Sequence, residues 1–348
     1  VDWSGRRGGR RAAQATATSV EDTILLLRKE LLDSSDLGEH GAAAIHRELL
    51  SRQKKAQLKS VPSVRTIGRI LARRGALDGK RRVRRPPPPK GWYLPDVAAG
   101  QAELDSFDIV QGLVIQGCLD VEILNGISLH GGLCVSWVSH TITAKITVER
   151  LLEHWREQGL PCYAQFDNDT IFQGAHQWPD SFGRVTRMCL QLGVIPVFAP
   201  PRETGFQASI ENYNGRWQAK VWQRFQFTAH DDLQRQSDRF VAAARQRAAP
   251  RIDAAPKRKT FPQNWKLNLK APLAGLVVFV RRTNAQGHVE LLGHTFQGNP
   301  TWCHRLVRCE VDLSNQRIRI YRLRRRTPTQ QPLLKTLPYK ITNKRFHE

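Results

Sequence analysis

The 348-residue sequence has no paired cysteine motif, no long apolar run and few acidic side chains. Its six cysteines show no Cys-x-x-Cys spacing, which excludes a disulfide framework and indicates the reduced thiols of a cytoplasmic protein. No apolar run reaches the roughly 20 residues of a membrane-spanning helix. The N-terminus also lacks the apolar region of a signal peptide. We therefore expect a cytoplasmic chain without a membrane partner.

Acidic residues are too few to balance the basic ones. The chain has 54 Lys and Arg against 31 Asp and Glu, a net charge of +23, which favours a polyanionic partner such as nucleic acid. Residues 1–100 carry 21 basic and 10 acidic side chains, residues 101–240 carry 11 and 16, and residues 241–348 carry 22 and 5. Carboxylates repel phosphate unless metal ions intervene. The acidic middle therefore indicates a metal site between two nucleic-acid-binding flanks.

The first hundred residues are divided by their composition. Residues 1–18 are small and basic and predict a disordered arm, whereas residues 19–78 show three helical patterns, the last capped by Ser63. The basic face of the last helix fits a helix-turn-helix that binds the DNA major groove, with a plain helical bundle as the alternative. The predicted DNA contacts on this helix are Arg65, Arg69, Arg73 and Arg74.

Residues 79–100 are rich in Arg and Pro and predict a semi-rigid linker. Its arginines can follow a phosphate backbone, and Trp92 and Tyr93 beside it can stack on bases. The predicted DNA contacts of the linker are Arg82, Arg84 and Arg85.

The rest of the chain predicts two further domains. In residues 101–240, three β-rich runs precede alternating helices and strands, which indicates a mixed α/β layered domain. Residues 241–270 are predicted to be a basic linker. Residues 271–330 contain short strands with tight turns, typical of a small β-barrel, and residues 331–348 form a basic tail.

Three carboxylates stand at distinctive places in the α/β region. Asp108 lies within an apolar strand, Asp167 ends another strand, and Glu211 begins a helix. Open α/β sheets place their sites at the carboxyl ends of strands. Oxygen-only ligands suit Mg²⁺ or Mn²⁺, and two such ions can assist an in-line displacement at phosphorus.

These residues resemble a known family. Asp108, Asp167-Asn168 and Ile210-Glu211-Asn212 are similar to the Asp-Asp-Glu (DDE) triad of the retroviral-integrase-like transposases of bacterial insertion sequences. The segments Ser128-Leu129-His130-Gly131-Gly132 and Val197-Phe198-Ala199-Pro200-Pro201 agree with it as well. The resemblance covers nearly the whole chain. It implies an RNase H-like catalytic core, an N-terminal helix-turn-helix and a C-terminal β-barrel.

The resemblance also implies an activity. Such a protein is a polynucleotidyl transferase that binds the ends of its element and catalyses DNA cleavage and strand transfer, leading to DNA integration. Asp108, Asp167 and Glu211 would be the catalytic residues and would hold two Mg²⁺ or Mn²⁺ ions. The implied partners are double-stranded DNA of the ends and the target, and further copies of the chain at the nucleoid; a helper ATPase is left open. The alternatives are a DNA-binding regulator or domesticated relative with an inactive core, and a nuclease of RNA-DNA hybrids.

Some positions have competitors. The interval between Asp167 and Glu211 is longer than is usual in the family, and Glu203 lies at the shorter spacing. Asp105 and Asp169 compete with Asp108 and Asp167 in the same way. Two further residues are predicted to contact DNA, Arg216 and Lys220. Additional expectations are a role for Asn168 in holding Asp167 or a phosphate, and structural roles for His130, His176, Trp217 and Trp222.

Overall fold

A computed structural model describes residues 16–53, 60–77, 90–203, 205–341 and 346. The chain divides into two units, residues 1–86 and residues 87–348. No helix in the described ranges is both long enough and apolar enough to cross a membrane.

The first unit contains three helices, as predicted: α1 (Thr18–Ser34), α2 (Ala42–Arg52) and α3 (Val64–Arg73). Their apolar faces form one small core made of Ile24, Leu27, Ile45, Leu49, Ile67, Ile70 and Leu71. The Ser63 hydroxyl accepts a hydrogen bond from the Thr66 backbone N–H at 3.2 Å, so the predicted cap of α3 is confirmed.

The second unit is built on a nine-stranded mixed sheet. Its first three strands are β1 (Leu104–Ile115), β2 (Leu119–Ser128) and β3 (Cys134–Ser139). They are followed by β4 (Tyr163–Phe166), β5 (Ile195–Phe198), β6 (Leu276–Arg282), β7 (Val289–Leu291), β8 (His294–Phe296), β9 (Leu306–Asp312), β10 (Arg317–Arg322) and β11 (Leu333–Pro338). The order in the large sheet is β11-β10-β9-β6-β5-β4-β1-β2-β3, whereas β7 and β8 form a separate hairpin.

Strands β1 to β3 are antiparallel, and β4, β5 and β6 run parallel to β1. The helices of this unit are α4 (Pro95–Ala98), α5 (Ala144–Gln158), α6 (Thr170–Gln173), α7 (Arg184–Gln191), α8 (Ala208–Trp217) and α9 (His230–Asp253), and a π-helical turn (Gln218–Trp222) follows α8. The predicted mixed α/β architecture of the middle region is therefore confirmed.

Both faces of the central strands are covered. Four phenylalanines on neighbouring parallel strands follow one another across the sheet, with ring centroids 5.8 Å apart at the first pair, 6.2 Å at the second and 5.1 Å at the third. They are Phe107, Phe166, Phe198 and Phe279, and they pack in one core with α5 and α7. Because strand side chains alternate between faces, the residue after each phenylalanine points to the opposite face. Asp108 and Asp167 are two of those residues.

The prediction of a separate β-barrel at residues 271–330 was wrong. Strand β6 pairs in parallel with β5, and β9 to β11 continue the same sheet. Val277 and Phe279 pack into one core, whereas Val278 and Val280 pack into the other. A continuous apolar run of this kind is typical of an internal strand buried on both faces, and the short turns around it suggested an independent domain instead.

The predicted linkers also differ from the structure. Helix α9 continues to Asp253 and so occupies the first part of the predicted linker 241–270. Strand β11 lies within the predicted tail 331–348. Trp92 and Tyr93 are only 4% and 3% exposed and pack in the second core, so they cannot stack on DNA bases. Their aromatic area favours burial over exposure beside a linker.

Candidate metal and catalytic site

The register of two parallel strands brings Asp108 and Asp167 together. Strands β1 and β4 pair Asp105 with Ala164 and Ser106 with Gln165. Continued by two residues, the same register sets Asp108 beside Asp167. Both residues stand on the face opposite the phenylalanine row, at the carboxyl end of β4. A sequence pattern cannot fix this register, because pairing between strands distant in the chain is decided by packing.

Helix α8 crosses this face and contributes the third carboxylate. Asn214 lies on it one helical turn after Glu211, on the same side of the helix. The Asn214 side-chain amide donates a hydrogen bond to Asp108 Oδ2 at 2.7 Å. The helix is therefore fixed to β1 one turn beyond Glu211, whose side chain is exposed.

The carboxylates influence one another electrostatically. Burial, the largest cause, and the neighbouring charges of Asp167 and, to a smaller extent, Glu211 together raise the pKa of Asp108 to about 6. Burial also raises the pKa of Asp167, as does the charge of Asp169. In the described part of the chain, the groups that set these two pKa values include no lysine or arginine. The carboxyl end of β4 thus brings together carboxylates whose ionisation is opposed by burial and by neighbouring negative charges.

The donor set fits a hard divalent cation, since carboxylate oxygens are the ligands that Mg²⁺ and Mn²⁺ prefer. Within the described ranges, no group of three acidic, histidine or cysteine side chains is close enough to coordinate a single ion. Asp108 and Asp167 supply two neighbouring carboxylates. Glu211 is exposed on the first turn of α8, and its charge acts on Asp108.

A buried polar network supports Asp108 from behind. Asn125 Nδ2 donates to Asn214 Oδ1 at 2.9 Å, and the Ser136 hydroxyl donates to Asn125 Oδ1 at 2.6 Å. The Tyr213 hydroxyl lies 2.7 Å from the same Ser136 oxygen. Because these buried amides have partners on both sides, Asn214 has one preferred orientation, with its N–H₂ group facing Asp108.

The competing acidic residues have other partners. Asp105 is 1% exposed and forms an ion pair with Arg258 at 2.5 Å. The Asp169 carboxylate caps α6 by accepting from the Ile171 N–H at 2.8 Å, and Glu203 pairs with Arg282 on β6 at 2.5 Å. Asp105 and Glu203 are thus each paired with an arginine, and Asp169 caps a helix.

The residue after Asp167 is held away from it. The Asn168 amide donates to the Ala199 carbonyl at 2.6 Å, and its oxygen accepts from Arg281 Nη2 at 2.7 Å. The second carboxylate is oriented instead by the Asp169 backbone N–H, which donates to Asp167 Oδ1 at 3.0 Å. Asn168 thus connects the site to β5 and β6.

The predicted DNA-contacting residues lie in different settings. Arg65 and Arg69 are exposed on α3. Arg73 and Arg74, although also exposed, form ion pairs with Glu21 of α1. Three predicted contacts lie outside the described residues, namely Arg82, Arg84 and Arg85.

Arg216 and Lys220 do not lie one regular helical turn apart. Arg216 is exposed on α8, whereas Lys220 is half-buried within the π-helical turn Gln218–Trp222. A π-helical turn contains more residues than an α-helical one and so rotates the second side chain relative to the first.

Two predicted structural residues have buried partners. His130 Nε2 lies 2.9 Å from the Val97 carbonyl oxygen. Trp217 is fully buried and donates its indole N–H to Ser237. His176, by contrast, is exposed.

Sequence reasoning missed two residues near the site. Asn214 is three positions after Glu211 and was detectable from helical spacing. Arg281 lies near the end of β6, and no local pattern indicated that it would reach Asn168, which follows β4 far away in sequence.

No protein-family model matches the sequence, and no curated protein matches it. Among solved structures, the HTLV-2 integrase catalytic core in complex with magnesium is 11% identical, with a TM-score of 0.30 over 40% of this chain and 82% of that chain. A simian T-cell lymphotropic virus intasome in complex with a PP2A regulatory subunit is 11% identical, with a TM-score of 0.36 over 80% of this chain and 92% of that chain. The BIV integrase catalytic core is 14% identical, with a TM-score of 0.29 over 40% and 80%. These identities and TM-scores are low.

Proposed function

We propose that this chain is a DNA transposase or integrase, with an RNase H-like core that catalyses metal-dependent strand cleavage and strand transfer. The observation that carries the proposal is the convergence of Asp108, Asp167 and helix α8 on one face of the sheet. The charges of Asp167 and Glu211 oppose the ionisation of Asp108. A divalent cation offsets such repulsion and favours the ionised forms of Asp108 and Asp167.

Asp108, Asp167 and Glu211 are the residues that would hold Mg²⁺ or Mn²⁺. Two such ions, when bound, supply activation of the attacking oxygen and stabilisation of the leaving oxygen at phosphorus. The protein's own part is positioning. Asn214 fixes the orientation of Asp108, and the Asp169 N–H fixes that of Asp167. Partners of this kind hold ligand side chains ready for binding.

Recognition of the DNA ends belongs to the N-terminal unit in this proposal. Arg65 and Arg69 are exposed on α3, whereas Arg73 and Arg74 contact α1 and so fix the position of α3. Exposed arginines on one helix suit the major groove and its phosphates. We propose that copies of the chain assemble on paired DNA ends, each acting on the end held by another.

The first test concerns Glu211. We expect Glu211→Gln to abolish Mg²⁺-dependent strand transfer while leaving end binding unchanged, because the substitution removes a ligand charge on an exposed helical turn. The measurement is strand transfer of labelled duplex ends, with binding followed by mobility shift.

The matched control is Glu203→Gln, which removes the competing carboxylate that pairs with Arg282. This variant should keep strand transfer. Full strand-transfer activity in Glu211→Gln would contradict the assignment of Glu211 as a metal ligand. End binding without any nicking by the wild-type chain would instead identify a DNA-binding regulator with an inactive core.

A further inference from the structure

A pocket of about 330 Å³ lies next to the proposed catalytic site. Its walls come from β6, from the segment around α6 and α7, and from the β7–β8 hairpin. Asn168, which lines it, directly follows Asp167 in the chain. The volume is within the range of pockets that bind small organic groups.

Arg281 brings a half-buried positive charge to this pocket. Its guanidinium donates to the Ala199 and Val280 carbonyls and to Asn168 Oδ1. These three bonds leave two of the five N–H donors of an arginine without a partner in the described part of the chain. Burial lowers the pKa of Arg281 to about 10. Glu290 also lines the pocket, but it is exposed and forms no ion pair with Arg281 within the described ranges. A half-buried cation without a carboxylate partner favours an anionic ligand.

Two further wall residues have unused hydrogen-bonding capacity. Gln173 and Ser181 are only 9% and 5% exposed. Gln173 Oε1 and Ser181 Oγ have no hydrogen-bond partner among the described residues. Buried polar atoms in proteins nearly always have a partner. The pocket therefore suits a ligand that carries both N–H donors and acceptors.

An aromatic side chain completes the lining. Trp178 lines the same pocket and is 47% exposed, an unusual exposure for a large aromatic residue. Indole faces stack on nucleobases, and every base offers such a face. An anion-binding arginine, an amide acceptor and an exposed indole together match the phosphate, the base edge and the base face of a nucleotide.

We propose that this pocket binds one nucleotide of the DNA strand beside the catalytic carboxylates, with its phosphate at Arg281 and its base on Trp178. The inference rests on the proposed function, because that function supplies the DNA strand. It adds a contact made by β6 and the β7–β8 hairpin, and it explains why the C-terminal strands join the catalytic sheet.

The test measures affinity for a single-stranded tetranucleotide by competition fluorescence anisotropy, with the full chain in metal-free buffer of raised salt. Raised salt weakens contacts that depend only on phosphate charge. Trp178→Ala should bind roughly five- to tenfold more weakly, since stacking on an aromatic side chain is lost. An abasic tetranucleotide should bind the wild type as weakly as the normal one binds Trp178→Ala.

The matched control is Phe225→Ala, which removes an exposed aromatic residue that does not line the pocket and should leave the affinity unchanged. Thermal unfolding checks that each variant folds, and Ser181→Ala is a second pocket variant in which we also expect weaker binding. Equal affinity of Trp178→Ala and wild type for the tetranucleotide would overturn the proposal. So would a wild type that binds the abasic and the normal tetranucleotide equally well and releases both to inorganic phosphate. The binding assay contains no metal, so a chain that proves inactive in strand transfer can still bind the tetranucleotide through this pocket. Equal affinity of Trp178→Ala and wild type in a chain that is active in strand transfer would contradict the pocket proposal alone.

Discussion

Asn214 shows how a neutral side chain can orient a carboxylate of the candidate site. Its amide holds Asp108 Oδ2, while Asn125 and Ser136 hold the amide itself. The hydrogen bond from Asn214 favours the ionised form of Asp108 and partly offsets the effects of burial and of Asp167. At the scale of single residues, the site therefore depends on the residues behind the carboxylates as much as on the carboxylates themselves.

A substitution at Asn214 tests this dependence. We expect Asn214→Ala to lower strand transfer about 10- to 100-fold and to raise the Mg²⁺ concentration needed for half-maximal rate, because Asp108 loses its orienting partner. The measurement is a Mg²⁺ titration of strand transfer. Asn212→Ala is the control, since Asn212 is exposed on the same helix and bonds only to the Ala208 carbonyl. An unchanged Mg²⁺ dependence in Asn214→Ala would contradict a positioning role.

At the scale of elements, α5 is held against the sheet by buried polar groups. Trp155 donates its indole N–H to Asp105 Oδ2 at 3.2 Å, and Arg258 pairs with the same carboxylate. His154 on this helix is 4% exposed, and Asp105, Arg258 and Arg245 are the charges that act on it. Burial lowers the pKa of His154 to about 4, so the ring is neutral in the folded protein at neutral pH.

The buried histidine predicts acid sensitivity. An unfolded histidine has a pKa near 6.5. The stability contributed by a neutral folded ring is therefore complete above that pH and falls as the pH drops toward the folded value of about 4. We expect a loss of about 2 kcal/mol in the free energy of unfolding between about pH 7 and about pH 5. Urea unfolding at both pH values measures it.

His154→Leu should remove most of this pH dependence, whatever its effect on stability at neutral pH. His140→Leu is the matched control, because His140 is exposed, and it should keep the wild-type dependence. Equal slopes in His154→Leu and wild type would show that other groups cause the acid sensitivity.

At the scale of the whole molecule, strands β1 and β4 and the C-terminal strands form one sheet. Strand β5 lies between β4 and β6, so the C-terminal part covers what would otherwise be an open edge next to the site. Exposed edges and half-covered strands are unstable and prone to aggregation. We therefore expect the second unit to fold as one body, because the C-terminal strands belong to the same sheet as β1 and β4.

A truncation follows from this arrangement. A chain that ends at residue 270 loses β6 and exposes the apolar faces of Val197 and Phe198, which pack on Val278 and Phe279. We expect it to lack a cooperative unfolding transition in calorimetry. A chain that starts at residue 87 should keep one, because residues 1–86 form a separate unit. A stable fragment that ends at residue 270 would contradict this expectation and support two independent domains, one before and one after residue 270.

The sequence by itself determined the local features of this protein. Helical spacing and the Ser63 cap predicted α3, and the apolar runs around Asp108 and Asp167 predicted two strands with carboxylates at or near their ends. These features depend on residues a few positions apart, so a single segment of sequence is enough to predict the secondary structure. The candidate triad Asp108, Asp167 and Glu211 was selected on such local signals together with family resemblance.

Only the tertiary structure decided what depends on distant residues. The register of β1 with β4 sets Asp108 beside Asp167, and the pairing of β5 with β6 replaced the expected barrel by a continuous sheet. The partners Arg258 and Arg282 gave Asp105 and Glu203 structural roles. Each of these contacts joins segments far apart in the chain. Packing and strand register, which no single segment encodes, determine such contacts.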